Sequence, residues 1–178
     1  DGMIGDCSDS LFHLGCTLTG DEEATIVFDT RYSSKKPMVL NKRQCFFEAL
    51  LQNRKDSDLW NAIAWHMKPN NNDTISLEGE TYTQRQCLLK ALELSDPDDA
   101  AAAWDSLGVF MKDDEVVAVG EETFSRIEVF ANAVDCDCEQ SESWAMLALL
   151  LFQQQQQQDD AEDSDDDDDN NTPAAAAT

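Results

Sequence analysis

The sequence predicts an all-α fold: a helix-turn-helix repeat solenoid with short extended, hairpin-like insertions and a disordered C-terminal tail. Three observations predict it. A motif of large, aliphatic, small and aliphatic residues at offsets 0, 3, 4 and 7 occurs four times, starting at Leu11, Trp60, Trp104 and Trp144. Those offsets set four side chains on one helical stripe, with the small residue where a neighbouring helix comes close. A second apolar pattern lies between the copies, centred on Ala49, Ala91 and Ala133, which recur every 42 residues. After Phe152 the complexity collapses into Gln153 to Gln158 and an acidic run ending at Asp169, with nothing to bury.

Taken in order, the first motif predicts A helices near residues 9–19, 58–68, 102–112 and 142–152, and the second predicts B helices near 41–53, 83–95 and 125–135. Together they span a helical repeat domain over 9–152, followed by the tail, 153–178. From B to the next A the connection is short and carries stop and cap residues: Lys55 to Asp58, Ser95 to Asp98, and residues 135–143. Short connections make B and the next A antiparallel neighbours. The connection from A to B is long. Its Ile75-Ser76-Leu77 and Val117-Ala118-Val119 stretches alternate or run β-branched, and each precedes an aromatic, Tyr82 or Phe124. They predict a short extended segment or small hairpin folded onto the repeat, ending in an aromatic that staples the start of helix B.

The Trp104-x-x-Leu107-Gly108 opening of one helix, with Lys90-Ala91-Leu92-Glu93-Leu94 and Pro97 closing the other, resembles the tetratricopeptide repeat. The likeness covers roughly residues 9 to 152, with Leu11 replacing the aromatic in the first copy. This chain departs from it by a longer A-to-B connection and by Lys42, Gln84 and Arg126 where the family has a small residue early in helix B. The resemblance implies a curved stack whose A helices line a concave groove for extended peptides or partner helices. Groove positions would fall two before, one after and five after each motif start. These are Asp9, Phe12 and Cys16; Asp58, Asn61 and Trp65; Ala102, Asp105 and Val109; Glu142, Ala145 and Leu149. The candidate partner-binding set is Asp9, Phe12, Asp58, Asn61, Trp65, Asp105, Val109 and Glu142. Such a groove is acidic with aromatic patches and suits a basic, partly apolar peptide anchored on Trp65 or Phe12. Asp58 and Glu142 also read as helix caps or first-turn acids, and Trp65 equally as packing between repeats. Of the residues that could clamp a carboxylate, only Asn61, Lys68 and Lys112 are present.

Charge excludes other classes. The 178 residues hold 12 Lys plus Arg against 37 Asp plus Glu, a net charge of -25, so a nucleic-acid face is not expected. Arg31, Lys35, Lys36, Lys42 and Arg43 crowd together near the start, which a solvated loop and a binding site explain equally well. The longest apolar run, Ala145 to Phe152, is far shorter than the roughly 20 residues of a membrane span, so no membrane partner is expected. Scattered cysteines fit a reduced, intracellular, cytoplasmic setting, and the homopolymeric tracts a eukaryotic one. Cys45 and Cys87 recur at one place in successive B helices and read as small buried residues. Cys136-Asp137-Cys138 lacks a second ligand pair, and a calcium loop starting at Asp135 fails at Gln140 and Met146. No phosphate loop or nucleophile set is present. The expectation is a scaffold without catalytic residues, metal or cofactor, of open oligomeric state. A rival reading puts the function in the tail, whose nine acids between Asp159 and Asp169 would bind basic proteins, with the repeats as carrier.

Overall fold

A computed structural model of the chain describes residues 8–19, 23–26, 38–68 and 73–165. Arg31, Lys35 and Lys36 of the basic stretch, and the tail from 166 onward, lie outside the described residues. The remainder forms three units of one plan, helix, β-hairpin, helix. Unit one is α1 (Ser8–Thr17), β1 (Glu23–Ile26), β2 (Met38–Asn41) and α2 (Lys42–Gln52). Unit two is α3 (Ser57–Trp65), β3 (Thr74–Leu77), β4 (Glu80–Thr83) and α4 (Gln84–Leu94). Unit three, after a 3-10 turn at Pro97–Asp99, is α5 (Ala101–Phe110), β5 (Val116–Val119), β6 (Glu122–Ser125) and α6 (Arg126–Cys136), and a last helix follows, α7 (Ser141–Asp165).

One expectation is corrected. The fold is not all-α: among the described residues three separate two-stranded antiparallel sheets stand among seven helices, one inside every A-to-B connection. In units two and three the physical reason is a two-residue turn. Glu78 and Gly79 both take positive φ, 53° and 91°, as a type I′ hairpin requires, and Gly120 at 63° leads the turn of the third unit. Ile75 pairs with Tyr82 and Val117 with Phe124 across the hairpins. Ile75, Leu77 and Val117 are buried while their neighbours Ser76 and Val116 face water. α7 runs through Gln153 to Gln158 as far as Asp165. Glutamine is a good helix former, and extending an existing helix avoids the unfavourable nucleation step.

Each hairpin feeds its helix directly. The last strand residue, Asn41, Thr83 or Ser125, is also the N-cap of the B helix, and each forms a reciprocal capping box with Gln44, Gln86 or Glu128. In units two and three the residue after the cap, Gln84 or Arg126, reaches back to the A helix. Gln84 Nε2 donates to the carbonyls of Ala64 and Met67, at 2.9 and 3.3 Å, and Arg126 Nε donates to that of Gly108 at 2.9 Å. These side chains add a polar contact at the end of the A helix, where the Ala64 carbonyl also accepts from the Met67 backbone N–H at 3.2 Å. Because the start of B meets the end of A, the two run antiparallel.

The two helices of a unit meet through complementary sizes. A Cβ on Gly15 would sit 2.8 Å from the Phe46 ring, and one on Gly108 would sit 2.8 Å from the Phe130 ring. Unit two places Ala64 and Leu88 in the equivalent positions, both buried. The deeper glycine notch goes with the larger phenylalanine and the shallower alanine notch with the smaller leucine, so that packing density is kept. Trp60 is 2 % exposed and meets Tyr82 edge-on at 5.0 Å, as Trp104 meets Phe124 at 5.2 Å. The aromatic before each B helix thus packs on the first residue of the A motif. One apolar cluster continues from Phe46 to Val129 across the units.

Candidate functional site

The A-helix face was the expected partner surface, and its residues divide into two groups. Trp65, Asn61 and Asp105 are turned toward the next A helix. The Trp65 indole N–H donates to Ser106 Oγ at 2.7 Å, and its ring meets Phe110 edge-on at 5.0 Å. Asn61 Nδ2 approaches the Ala102 carbonyl at 3.5 Å, and Ser143 Oγ donates to Asp105 Oδ1 at 2.6 Å. Position one after the motif start therefore joins unit two to three and unit three to α7. Asp9, Asp58, Val109 and Glu142 are exposed, and Phe12 is half-buried with its ring 5.7 Å from Phe46. Trp65 packs between neighbouring A helices, yet 47 % of it remains exposed.

The acids have distinct roles. Asp56, not Asp58, is the N-cap of α3, accepting from the backbone N–H groups of Asp58 and Leu59 at 3.0 and 3.2 Å. Asp58 is a first-turn acid. Partial burial, then the nearby Asp56 and Asp99 charges, push its carboxyl above the usual range. Glu142 sits in the first turn of α7 and accepts from Ser141 Oγ at 3.1 Å.

Basic groups collect on a different edge, where A helices end and B helices begin. Arg43 on α2 grips Asp73, ahead of β3, through two bonds of 2.8 and 2.9 Å, while the Lys68 amide donates to the same carboxylate at 2.8 Å. The Arg43 hydrogen bonds, then that amide, hold Asp73 below the usual carboxylate range. One unit later Arg85 bonds Glu115 at 2.6 Å and the Lys112 amide donates to it at 3.0 Å. Each clasp ties a B helix to the hairpin of the following unit. In α6 the equivalent position is Ile127, and among the described residues no hairpin follows it. Lys68 and Lys112 share an open cleft of about 610 Å³ with Arg85, Leu107 and Phe110, but Asn61 is not part of it. The three residues considered as a carboxylate clamp are thus not brought together. The His66 ring stacks on Phe46 at 5.3 Å; partial burial, then Lys42 and Arg43, lower its pKa.

Among the described residues no cluster of three His, Cys, Asp or Glu side chains could hold a metal. Nor is any helix among them long and apolar enough to cross a membrane. Cys45 and Cys87 are fully buried free thiols, and desolvation pushes Cys87 up to about 12, with its Sγ 3.8 Å from Met67 Sδ. No protein-family model, curated protein or solved structure matches the chain. What sequence reasoning missed is the support behind Trp65. Ser106 and Phe110 fall two and six residues after Trp104, positions that the groove rule did not use.

Proposed function

We propose that this chain is a non-catalytic protein-binding platform whose A-helix face takes a basic, partly apolar peptide. Trp65 carries the reading. It is a large amphipathic ring, half exposed, whose geometry is already fixed by Ser106 and Phe110. A ring so held loses little rotamer freedom on binding and supplies much contact area, which is how interface anchors concentrate energy. Asp58 shares its helical stripe, at offsets of three and seven with Asn61 and Trp65. Its carboxylate is held against like charge, and a partner Lys or Arg would relieve that strain. Kinship with tetratricopeptide repeats belongs to the same proposal, supported by the shared A-helix motif, with a hairpin added to every repeat.

Selection of random peptides on the intact chain tests it. Enriched peptides should combine Lys or Arg with an aromatic or aliphatic residue. Trp65→Ala should weaken their binding by at least about 2 kcal/mol, a typical anchor effect. Asp58→Asn should weaken binding while raising Tm at pH 7. The sign follows from the raised carboxyl: the charged form destabilises the fold above its folded pKa, and the gain from Asn vanishes as pH falls below the ordinary carboxylate value. Peptides that bind the folded Trp65→Ala and Asp58→Asn proteins as tightly as the unchanged chain would remove this face from the account.

A further inference from the structure

Lys68 and Lys112 stand at the same place in successive units, eight residues after Trp60 and Trp104. The fold uses only their backbone: each amide N–H donates to a carboxylate, Asp73 at 2.8 Å or Glu115 at 3.0 Å. Any residue but proline would supply that amide. Among the described residues their ammonium groups form no ion pair. The carboxylates whose charge reaches them are already answered, Asp73 by Arg43 at 2.8 Å and Glu115 by Arg85 at 2.6 Å. Both lysines line one cleft of about 610 Å³ between units two and three, with Arg85, Glu115, Leu89 and Phe110. Three cations against one acid leave a local surplus of two positive charges in a chain whose net charge is -25. Leu89 and Phe110 are only half-buried, so the cleft also offers apolar surface. We propose that this cleft binds a phosphate monoester carried on an apolar body, either a small organic phosphate or a phosphorylated side chain of a partner protein.

Charge selects the ligand. A phosphate monoester carries about -1.5 to -2 at pH 7 and offers three acceptor oxygens, which matches the surplus, whereas a single carboxylate would leave one lysine unanswered. Lysine serves phosphate as a point charge on a flexible stem, and both of these lysines are exposed and free to close on it. Size adds the apolar body. Clefts of roughly 300–1,000 Å³ hold whole small molecules, so the phosphate group fills a minor part and the rest of the ligand lies against Leu89 and Phe110. Phe110 also packs on Trp65, so the cleft borders the proposed peptide face but needs none of its acids. The feature is not a requirement of the repeat. Eight residues after the first motif start stands Thr19, and eight after the last stands Phe152, so no other consecutive copies of the motif place two lysines around an arginine. The acidic remainder of the chain repels an anion at a distance, which leaves binding to contact with these groups rather than to steering.

The test is an amide NMR titration of the full chain with phenyl phosphate at pH 7. Saturable shifts are expected at Arg85, Leu89, Phe110 and Lys112. Benzoate keeps the ring with one charge, and inorganic phosphate keeps the charge without a ring; each should bind at least about fivefold more weakly. Lys68→Gln and Lys112→Gln should each weaken phenyl phosphate at least about fivefold. Glutamine keeps the backbone amide that the fold uses, so resonances remote from the cleft should not move. Lys90→Gln, whose ammonium pairs with Glu93 outside the cleft, should bind as the unchanged chain does. A short peptide holding phosphotyrosine among alanines separates the two sources: tighter binding than phenyl phosphate assigns the cleft to a partner protein, and equal or weaker binding assigns it to a small organic phosphate. Shifts that do not saturate, equal binding of benzoate or inorganic phosphate, or unchanged affinity in both Lys68→Gln and Lys112→Gln overturn the proposal.

Discussion

The stripes of α3 and α7 carry the same pattern of large, aliphatic, small and aliphatic residues, yet one is core and the other is surface. Both tryptophans even make the same bond, Trp60 Nε1 to the Arg54 carbonyl at 2.8 Å and Trp144 Nε1 to the Cys138 carbonyl at 2.9 Å, each closing the turn before its helix. The difference, among the described residues, is that α4 covers one and no B helix covers the other. An amphipathic stripe states that a helix wants a neighbour; it does not state that the chain supplies one.

The largest effect should come from truncating the two tryptophans. Trp60→Ala is expected to lose about 3–5 kcal/mol of stability in urea unfolding, as for a large buried ring, and Trp144→Ala less than about 1 kcal/mol. Equal losses would mean that α7 is as well covered as α3. Next is the wedge and notch. Gly108→Ala forces a methyl to 2.8 Å from the Phe130 ring and should lose about 1–3 kcal/mol. Adding Phe130→Leu recreates the Ala64 and Leu88 pair of unit two, so the double change should be less harmful than the sum by about 0.5–3 kcal/mol. Strict additivity would show that the sizes are not coupled.

The smallest effect concerns Cys87, whose thiol sits in the covered region. Its raised pKa means that the unfolded chain loses the proton near 9.0 while the folded chain keeps it to about 12. Stability is therefore lost as pH rises through that window, and Cys87→Ala should flatten the loss. Alkylation at pH 8 should reach exposed Cys16 and Cys138 at once and Cys87 only on unfolding. Equal labelling rates would contradict the cover that α3 and α4 give each other.

Helix positions were legible because each stripe repeats a local period, and α2, α4 and α6 occupy the segments around Ala49, Ala91 and Ala133. The hairpins were half legible: Ile75 and Leu77 alternate visibly, but four-residue strands joined by Glu78 and Gly79 give too short a signal to set the fold class against the helices around them. The run of α7 to Asp165 leaves little trace in the sequence, because glutamine can prolong an existing helix without adding any apolar period. At the candidate site, exposure of Asp58 and Val109 follows from their place on the A helix. The turning of Asn61 and Asp105 toward neighbouring helices depends on how the units stack, which no single stripe records.

The doubling of Asn41, Thr83 and Ser125 as strand end and helix cap has a practical side. Adding a residue there would rotate the following helix and strip its cap together, so length cannot change at that joint. It can change at the hairpin tip. Glu78-Gly79 and Gly120-Glu121 are two-residue tips, whereas in sequence residues 27–37 separate β1 from β2. The tips are thus natural ports for grafting foreign loops, each delivered on a stiff stem at a regular 42-residue interval.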